Sequence, residues 1–379
     1  MTKLDELIQE LCPDGVEYKE LQEILTIKNG SDYKHLSKGD IPVYGSGGIM
    51  TYVETFSYDK PSVLIPRKGS IDKLYYVEAP FWNVDTIFYT DIDSTQITPK
   101  YLFYCLQREH LEQYNTAGGV PSLTQAVLNK VQIPVPPLPV QREIVRILDN
   151  FTELTAELTA ELTARKQQYA YYRNKLLKKN TKAIKMEFGD MFNFQNGFAF
   201  KSRLFKKSGN AILRIANIKE NQISTDNLAF FDEADYKEDL SQYIVRQSDI
   251  VIAMSGATTG KIGVNVTPFN FYLNQRVGKF IPKENIILNR YLYHLLLQMS
   301  GEIYAISEGG AQPNLSSEKL KKLTAYIPPI SEQKRIVKVL DRFDTLCTDL
   351  SSGLPAEIEA RQKQYEYYRD KLLTFTPAD

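Results

Sequence analysis

Apolar residues recur every three or four positions along two long stretches of this chain, a spacing that predicts two long amphipathic helices. Prolines precede both stretches and suit a loop that leads into a first helical turn. In the second stretch Ser331 is the expected N-cap, and residues 351–355 should interrupt the helix because Gly353 and Pro355 are helix breakers. The stripe of the first stretch consists of Ile144, Ile147, Phe151, Leu154, Leu158, Leu162, Tyr169, Tyr172 and Leu176.

The two stretches are copies of one sequence. Residues 137–151 return as residues 329–343, and residues 165–177 return as residues 361–373, nearly letter for letter. A period near half the chain length is too long for a solenoid, whose units span about 20–50 residues. The chain is therefore a duplicated, two-part protein, and we expect its target to be two-sided.

The first stretch also contains a tetrapeptide repeat. Residues 154–164 repeat Leu-Thr-Ala-Glu, and because four residues advance a helix by about 400°, successive leucines drift by only ~40°. A helix of about forty residues exceeds what one small domain needs, so we expect a helix pair that acts as a spacer.

The segments between the helices are expected to be diverged copies of one mixed domain. Each contains an apolar run typical of a buried strand and an amphipathic helix, followed by Gly-Gly and Pro-x-Leu. Asn29-Gly30 and Asn196-Gly197 recur early in each segment, and Asn-Gly is a strong tight-turn signal. The matching strands are residues 62–66 and 249–253, and the matching helices are residues 101–106 and 291–296. The predicted domains are residues 1–135, 136–185, 186–327 and 328–379.

Composition and cysteine content indicate an ordinary globular protein. The chain has 379 residues, 43% of them apolar and 24% charged, enough for two or three domains. No run of eighteen apolar residues and no basic-then-apolar leader occurs, so we expect neither membrane insertion nor export. Cys12, Cys105 and Cys347 are far apart, which favours a reduced cytoplasmic protein without structural zinc.

The net charge of zero conceals one basic segment. Residues 165–185 hold eight Lys or Arg and no acidic residue. Such a segment is either a solvated helix face or a phosphate contact, and both interpretations stay open.

No catalytic motif is complete in this sequence. Residues 255–262 resemble a phosphate-binding P-loop, but only three residues separate the glycines, and Ile262 stands where Ser or Thr should hold magnesium. The amino-methyltransferase motif is missing, and three scattered histidines support no hydrolase site. The tyrosine pairs 171–172 and 367–368 fit helix packing better than nucleophilic catalysis. We expect a protein that is not an enzyme by itself.

The whole chain resembles the specificity subunit of type I restriction-modification enzymes. The resemblance rests on the order variable segment, helix, variable segment, helix. It also rests on the Thr-Ala-Glu-Leu spacer, which looks like that of the subgroup in which this tetrapeptide varies in copy number. The phrases that carry it are residues 11–18, 195–202, 253–263, 273–278 and both Arg-rich helix ends.

This resemblance implies an α+β fold with two similar mixed α/β target-recognition domains, separated by two long antiparallel, coiled-coil helical regions. Each domain would read one half of a split site in double-stranded DNA. The helices would hold the halves apart and bind two methyltransferase (modification) subunits, joined by ATP-driven restriction subunits. S-adenosylmethionine, ATP and Mg would belong to these partner subunits, and neither a metal nor a membrane is expected for this chain.

Candidate DNA-contacting residues are those with paired donors and acceptors on loops, chiefly Arg, Lys, Asn and Gln. Residues 67–70 follow a buried strand directly, where binding groups tend to lie, and glycines at 118–119 would allow close backbone approach. Each candidate could equally be a solvated turn residue. They are Asn29, Arg67, Lys68, Ser70, Gly118 and Gly119 in the first segment, and Asn196, Ser255, Thr258, Thr259, Lys261, Asn274, Gln275, Arg276 and Gln312 in the second.

Partner contacts are expected at matching positions of the two helix ends. Two other functions remain open from the residues: a coiled-coil scaffold that pairs protein partners without DNA, and a self-contained nucleic-acid enzyme. The loop amides and arginines and the basic helix end favour DNA reading over the scaffold. The partner candidates are Arg165, Tyr172, Arg173, Arg361, Tyr368 and Arg369.

Overall fold

The computed structural model describes residues 2–115, 118–178, 182–308, 310, 313–349 and 352–378. The chain divides into two compact units, which we call unit 1 (Met1–Leu158 with Ile358–Asp379) and unit 2 (Thr159–Glu357). Each unit therefore contains the start of one copy of the helical repeat and the end of the other copy.

Unit 1 is built on three sheets within its described residues, with strand orders β1-β9, β2-β8-β5-β6 and β4-β3-β7. All five residues of β5 are buried, which accounts for its uninterrupted apolar sequence. The strands are β1 (Tyr18–Glu20), β2 (Leu25–Asn29), β3 (Lys38–Gly45), β4 (Gly48–Val53), β5 (Ser62–Pro66), β6 (Tyr75–Val77), β7 (Trp82–Asn83), β8 (Ile87–Ile92) and β9 (Gln132–Pro134).

The short helices of unit 1 cover these sheets and have clear start signals. In α1, Thr2 and Asp5 form a capping box, and α3 begins with a proline, which lacks the N–H that a first helical turn leaves unpaired. Tyr101, Leu102 and Leu106 of α3 are fully buried in the core. The helices are α1 (Lys3–Leu11), α2 (Leu21–Ile24), α3 (Pro99–Arg108) and α4 (Gln125–Leu128).

Unit 2 repeats this plan with additional strands. Its described sheets have orders β10-β21, β11-β20-β17-β18-β14-β13 and β15-β12-β19-β16, and the antiparallel series β11-β20-β17-β18 matches β2-β8-β5-β6 of unit 1. The strands are β10 (Ile184–Glu187), β11 (Phe192–Asn196), β12 (Asn210–Leu213), β13 (Ile218–Lys219), β14 (Gln222–Ile223), β15 (Ala229–Phe231), β16 (Ile244–Val245), β17 (Ile250–Ala253), β18 (Ile262–Val264), β19 (Phe271–Leu273), β20 (Val277–Pro282) and β21 (Thr324–Ile327). The helices are α6 (Phe188–Met191), α7 (Asn289–Gln298), α8 (Ser300–Ala305) and α9 (Ser317–Lys321), with α5 (Leu138–Leu176) between β9 and β10.

The helical repeats form α5 (Leu138–Leu176), α10 (Ile330–Thr348) and α11 (Leu354–Leu372). The predicted long helices and the break near Gly353 are therefore confirmed, as is the α+β class. The prediction of Ser331 as N-cap is wrong: α10 begins two residues earlier, at Ile330, with Pro329 as its cap, and the proline ring fixes a φ compatible with that position.

A buried glutamine anchors the start of each helical repeat. Gln141 donates from Nε2 to the carbonyls of Gln96 and Pro136 and accepts from the amide of Thr98, all at 2.8 Å. Gln333 makes the matching three bonds in unit 2 at 2.9 Å. Both glutamines are fully buried with their amides satisfied, which fixes the direction in which each helix leaves its domain.

The three cysteines are free and buried. In the part of the chain that the structure describes, no helix is long and apolar enough to cross a membrane. Nor do His, Cys, Asp or Glu side chains gather there in groups of three or more that could hold a metal ion.

Candidate nucleic-acid interface

The loop that follows β5 in unit 1 is held by two other segments of the chain. The amide of Arg67 donates to the carbonyl of Thr86 (3.0 Å), and the carbonyl of Arg67 accepts from the amide of Leu123 (2.9 Å). Two residues after Arg67, the amide of Gly69 donates to the carbonyl of Pro121 (3.0 Å). The loop therefore lies between the β7–β8 connection and the Pro-x-Leu segment.

The loop that follows β17 in unit 2 makes the same three bonds with different side chains. The amide of Met254 donates to the carbonyl of Arg276 (2.8 Å), and the carbonyl of Met254 accepts from the amide of Leu315 (2.7 Å). The amide of Gly256 donates to the carbonyl of Pro313 (2.9 Å). Because these are backbone bonds, the side chains of the three segments remain free to vary. This three-segment arrangement, which we call the loop clamp, therefore presents a different set of side chains in each unit.

A glycine in a left-handed conformation is required in each loop clamp. Gly69 has φ +81° and Gly256 has φ +84°, a region that side-chain-bearing residues rarely adopt. This conformation turns each amide toward the proline carbonyl. The two glycines thus occupy equivalent positions.

The Asn-Gly sequences bring a fourth segment to each loop clamp. Asn29 ends β2 and Asn196 ends β11, and both side chains are exposed. The tight turn that Asn-Gly predicts is absent here, since neither Gly30 nor Gly197 has the positive φ that such a turn needs. Instead a Cβ on Gly30 would lie 2.2 Å from the carbonyl oxygen of Val84, so glycine is needed for close backbone approach.

The unit 1 candidates differ in how far they can reach. Lys68 is exposed and Ser70 half-buried. Arg67 is half-buried over the ring of Phe88, 5.3 Å from its centroid, with its Nε buried and unpartnered. Gly118 and Gly119 are exposed with open space around them, so no close approach within this chain explains them.

Four of the unit 2 candidates are exposed and four are not. Thr259 is buried, and its hydroxyl lies 2.7 Å from the Gly256 carbonyl and 2.8 Å from that of Pro313, so it holds the loop closed. The hydroxyl oxygens of Ser255 and Thr258 are buried without a partner. Gln312 lies outside the described residues. The exposed candidates are Asn196, Lys261, Gln275 and Arg276, and Asn274 is half-buried.

The cations of the loop clamps are available for an anionic ligand. Within the described part of the chain, no carboxylate oxygen lies within 4 Å of the charged nitrogens of Arg67, Lys68, Lys261 or Arg276. Elsewhere in unit 2 such pairs do form, for example between Lys279 and Asp249 at 3.3 Å. Unpaired Lys and Arg on loops beside Asn and Gln are suited to phosphates and base edges.

The helix-end candidates make contacts inside their own units. Arg173 and Arg369 lie over the rings of Tyr169 and Tyr365, at 5.2 and 5.8 Å, and Arg369 is only 8% exposed. Tyr172 and Tyr368 stack on phenylalanine rings of the same unit. Arg165 pairs with Glu161, and Arg361 bonds Gln364, each one helical turn away.

Sequence reasoning missed the outward-facing members of the tyrosine pairs. Tyr171 is 60% exposed and Tyr367 is 62% exposed, at matching positions of the two copies. The apolar stripe includes Tyr172, which follows Tyr169 by three residues and therefore faces the core. The neighbour of a stripe residue points away from the core, and this could have identified both exposed rings.

A second group of missed residues forms a buried polar cluster in each unit. His294 bonds Asp341 through Nε2 and Tyr169 through Nδ1, both at 2.8 Å, and Arg290 lies 2.8 Å from Asp341. Burial opposes the charge of Asp341, but the bonds from His294 and Arg290 outweigh it and lower its pKa. Burial also lowers the pKa of His294.

Unit 1 has the matching cluster with different side chains. Tyr104 donates to Asp149 at 2.5 Å, and Lys100 lies 2.9 Å from the same carboxylate. Burial and the bond to Asp149 raise the pKa of Tyr104 far above its ordinary value. In both units the cluster joins the domain helix to the helical repeat.

Comparison with known proteins agrees with the duplicated plan. The family model for the type I restriction modification DNA specificity domain matches residues 13–165 and 180–360. The type I restriction enzyme EcoR124I/EcoR124II specificity subunit of Escherichia coli is 34% identical over 301 residues, covering 76% of this chain and 73% of that protein. A Haemophilus influenzae protein named as a type I restriction enzyme specificity subunit is 32% identical, covering 95% of this chain and 96% of its own length.

Solved structures share the fold at low sequence identity. The S subunit of a type I restriction-modification system from M. genitalium superposes with a TM-score of 0.62 at 15% identity, covering 95% of this chain and 96% of that one. A chain from a type I restriction-modification system gives 0.60 at 14% identity, covering 95% and 98%. With two matches to the family model that together span most of its length, this chain belongs to the family of type I restriction-modification DNA specificity subunits.

Proposed function

We propose that this chain is the sequence-reading subunit of a type I restriction-modification complex, with each domain reading one half of a bipartite site in double-stranded DNA. The observation that carries the proposal is the loop clamp, built twice on the same backbone bonds with different exposed side chains. Two such clamps on one chain suit two unrelated half-site sequences. We keep residues 1–135 and 186–327 as the two recognition domains.

The side chains at the clamps fit DNA rather than a protein partner. Lys68 and Asn29 in unit 1, and Arg276, Gln275 and Lys261 in unit 2, are exposed. Arg and Lys recognise guanine edges and phosphates, and Asn and Gln recognise adenine edges. Lysine is depleted at protein–protein interfaces, so these clamps would be unusual protein-docking surfaces.

The helices in this proposal set the gap between the half-sites and bind two methyltransferase subunits. The matching exposed rings of Tyr171 and Tyr367 support two equivalent docking positions, since exposed tyrosine is enriched at interfaces. The chain itself contributes no catalysis. S-adenosylmethionine, ATP and Mg would be bound by the methyltransferase and the restriction subunits, in the cytoplasm.

A gel shift with methylome sequencing tests the proposal. The chain mixed with its methyltransferase partner should shift a duplex that carries its site, and cells that express the pair should show adenine methylation at one bipartite motif. Exchanging residues 186–327 for the same segment of another family member should alter one half of that motif only. Alteration of both halves would contradict independent reading.

The alternative is a scaffold that pairs protein partners through α5, α10 and α11 without contacting DNA. The exposed tyrosines alone would fit this function equally well. The two functions separate in the same gel shift: a scaffold would bind the methyltransferase and leave the mobility of the duplex unchanged.

A further inference from the structure

A cavity of about 370 Å³ in unit 2 is lined by residues of several elements. Arg173 reaches it from α5, Lys261 from the loop between β17 and β18, and Ser300 and Tyr304 from α8. None of the described residues that line it carries a carboxylate. Glu302 of α8 is not among the lining residues, since it lies two positions from Ser300 and faces elsewhere.

Arg173 has donor capacity that the protein leaves unused. Its Nε is buried and lacks a hydrogen-bond partner, and within the described residues no carboxylate oxygen is within 4 Å of its guanidinium. An unpartnered buried N–H costs about 1–3 kcal/mol, so such groups call for an explanation. Arg173 also lines the cavity, so a ligand with acceptor oxygens there would offer its guanidinium group a partner.

The matching cavity of unit 1 has the opposite character. It measures about 210 Å³ beside Arg369, and Asp72 and Glu112 line it. Arg369 donates from Nε and Nη2 to Asp370 at 2.9 and 2.8 Å, so its charge is already neutralised. The residue after Arg173 is Asn174 instead of an aspartate.

The loops beside the two cavities end with the same backbone hydrogen bond. The amide of Lys73 donates to the carbonyl of Ser70 (3.2 Å), and the amide of Lys261 donates to that of Thr258 (3.0 Å). Asp72 precedes Lys73, whereas Gly260 precedes Lys261. Unit 2 therefore has no carboxylate at two places where unit 1 has one, and both differences make its cavity more positive.

We propose that the unit 2 cavity binds a phosphate-class oxyanion between Arg173 and Lys261, and that the unit 1 cavity does not. Two cations and the hydroxyls of Ser300 and Tyr304 line one cavity, and this set suits phosphate oxygens, which accept several charge-assisted hydrogen bonds. The oxyanion is either a phosphodiester of the DNA backbone or a free phosphate group. The first source rests on the proposed function, whereas the second does not.

The first arm of the test uses inorganic phosphate and the full-length chain. At about ten times its dissociation constant, phosphate should raise the melting temperature by about 2–5 °C relative to chloride at equal ionic strength. Lys261→Ala should abolish this shift, and so should Asn174→Asp, which gives Arg173 the carboxylate that Arg369 has. Lys73→Ala is the matched control in unit 1 and should keep the full shift.

The second arm measures binding of a random-sequence duplex at several salt concentrations. If a backbone phosphate occupies the cavity, the slope of log affinity against log salt should fall by about 0.9 in both unit 2 variants and stay unchanged in Lys73→Ala. Unchanged slopes with a lost phosphate shift would assign the cavity to a free phosphate group.

The proposal is overturned if phosphate does not raise the melting temperature of the wild-type chain and the salt slopes of the variants are also unchanged. It is overturned as well if Lys73→Ala reduces the phosphate-induced rise in melting temperature as much as Lys261→Ala does. If the wild-type chain in complex with its methyltransferase partner binds no duplex at all, that result would refute the proposed function instead. In that case the thermal shift alone decides the oxyanion site.

Discussion

Tyr172 stacks on Phe343 in unit 2, with ring centroids 5.5 Å apart and ring planes at 17°. Tyr172 lies near the end of the first helical repeat, and Phe343 lies in the first half of the second. In unit 1 the order is reversed: Phe151 of the first repeat stacks on Tyr368 of the second, at 5.3 Å and 20°. Each unit is therefore completed by helix from both copies of the repeat.

The stacked tyrosines should stabilise the fold, whereas their exposed neighbours should not. Tyr368→Ala removes the stack on Phe151 and should lower the free energy of unfolding by about 1–3 kcal/mol. Tyr367→Ala is the matched control and should change it by less than about 0.5 kcal/mol, because that ring is 62% exposed. Urea unfolding measures both.

The same two variants separate folding from docking. In the proposed complex, Tyr367→Ala should weaken one methyltransferase attachment without loss of stability, and native mass spectrometry should then show one partner lost at limiting concentration. If Tyr367→Ala binds both partners normally, the exposed ring has no docking role.

The shared helices predict that half of the chain associates with itself. Residues 1–185 contain Phe151 but lack Tyr368, and Tyr172 of a second copy occupies the matching position in the repeat. Burying the unsatisfied helix face should drive dimer formation at micromolar concentration. Light scattering should report about twice the monomer mass, and Tyr172→Ala should reduce the dimer while Tyr171→Ala leaves it intact. A stable monomer would contradict the exchange.

His294 should make unit 2 sensitive to mild acid. Burial lowers the pKa of His294 below its ordinary value of 6.5, so between these two pKa values the unfolded chain binds a proton that the folded chain does not. Stability present above pH 6.5 is therefore lost as the pH falls toward the folded pKa. His294→Tyr introduces the residue that unit 1 has at this position. In this variant the melting temperature should depend less on pH between pH 7.5 and 5.5. An unchanged pH slope in that variant would exclude His294 as the cause.

Under the proposed function, Arg276 is a candidate for base reading in unit 2. Its carbonyl is fixed in the loop clamp while its side chain is exposed and free of carboxylates in the described structure. If it contacts guanine with two hydrogen bonds, Arg276→Ala should weaken site binding by about 1–3 kcal/mol and relax the motif at one position. Arg335→Ala, which removes an exposed arginine paired with Glu332 on α10, is the control. If both variants bind the site with equal affinity, Arg276 is a solvated turn residue and does not contact a base.

The sequence was sufficient for elements whose cause is local. The apolar stripe predicted α5, the Gly353 and Pro355 breakers predicted the end of α10, and the apolar run at 62–66 predicted β5. Contacts between distant segments were not predictable in this way. The burial of Arg369 depends on a cavity formed by residues near 72 and 110, and the need for Gly30 depends on a carbonyl at residue 84. No spacing pattern in the sequence indicates that these distant residues contact Arg369 or Gly30.

The tetrapeptide repeat provides a direct test of the helix as a spacer. Leu154, Leu158 and Leu162 are half-buried along α5, while Ala156, Glu157, Ala160 and Glu161 are exposed, so one face is repeated every four residues. Deleting residues 155–158 shortens the helix by about 6 Å and rotates its far end by ~40°.

Because a base pair rises ~3.4 Å along DNA, this deletion should shorten the gap between the half-sites by one or two base pairs. The bases within each half should stay the same, since neither loop clamp is altered. Methylome sequencing of cells that express the deletion variant with its methyltransferase measures both quantities. A folded, active complex with an unchanged gap, or with altered half-sites, would show that α5 does not set the spacing.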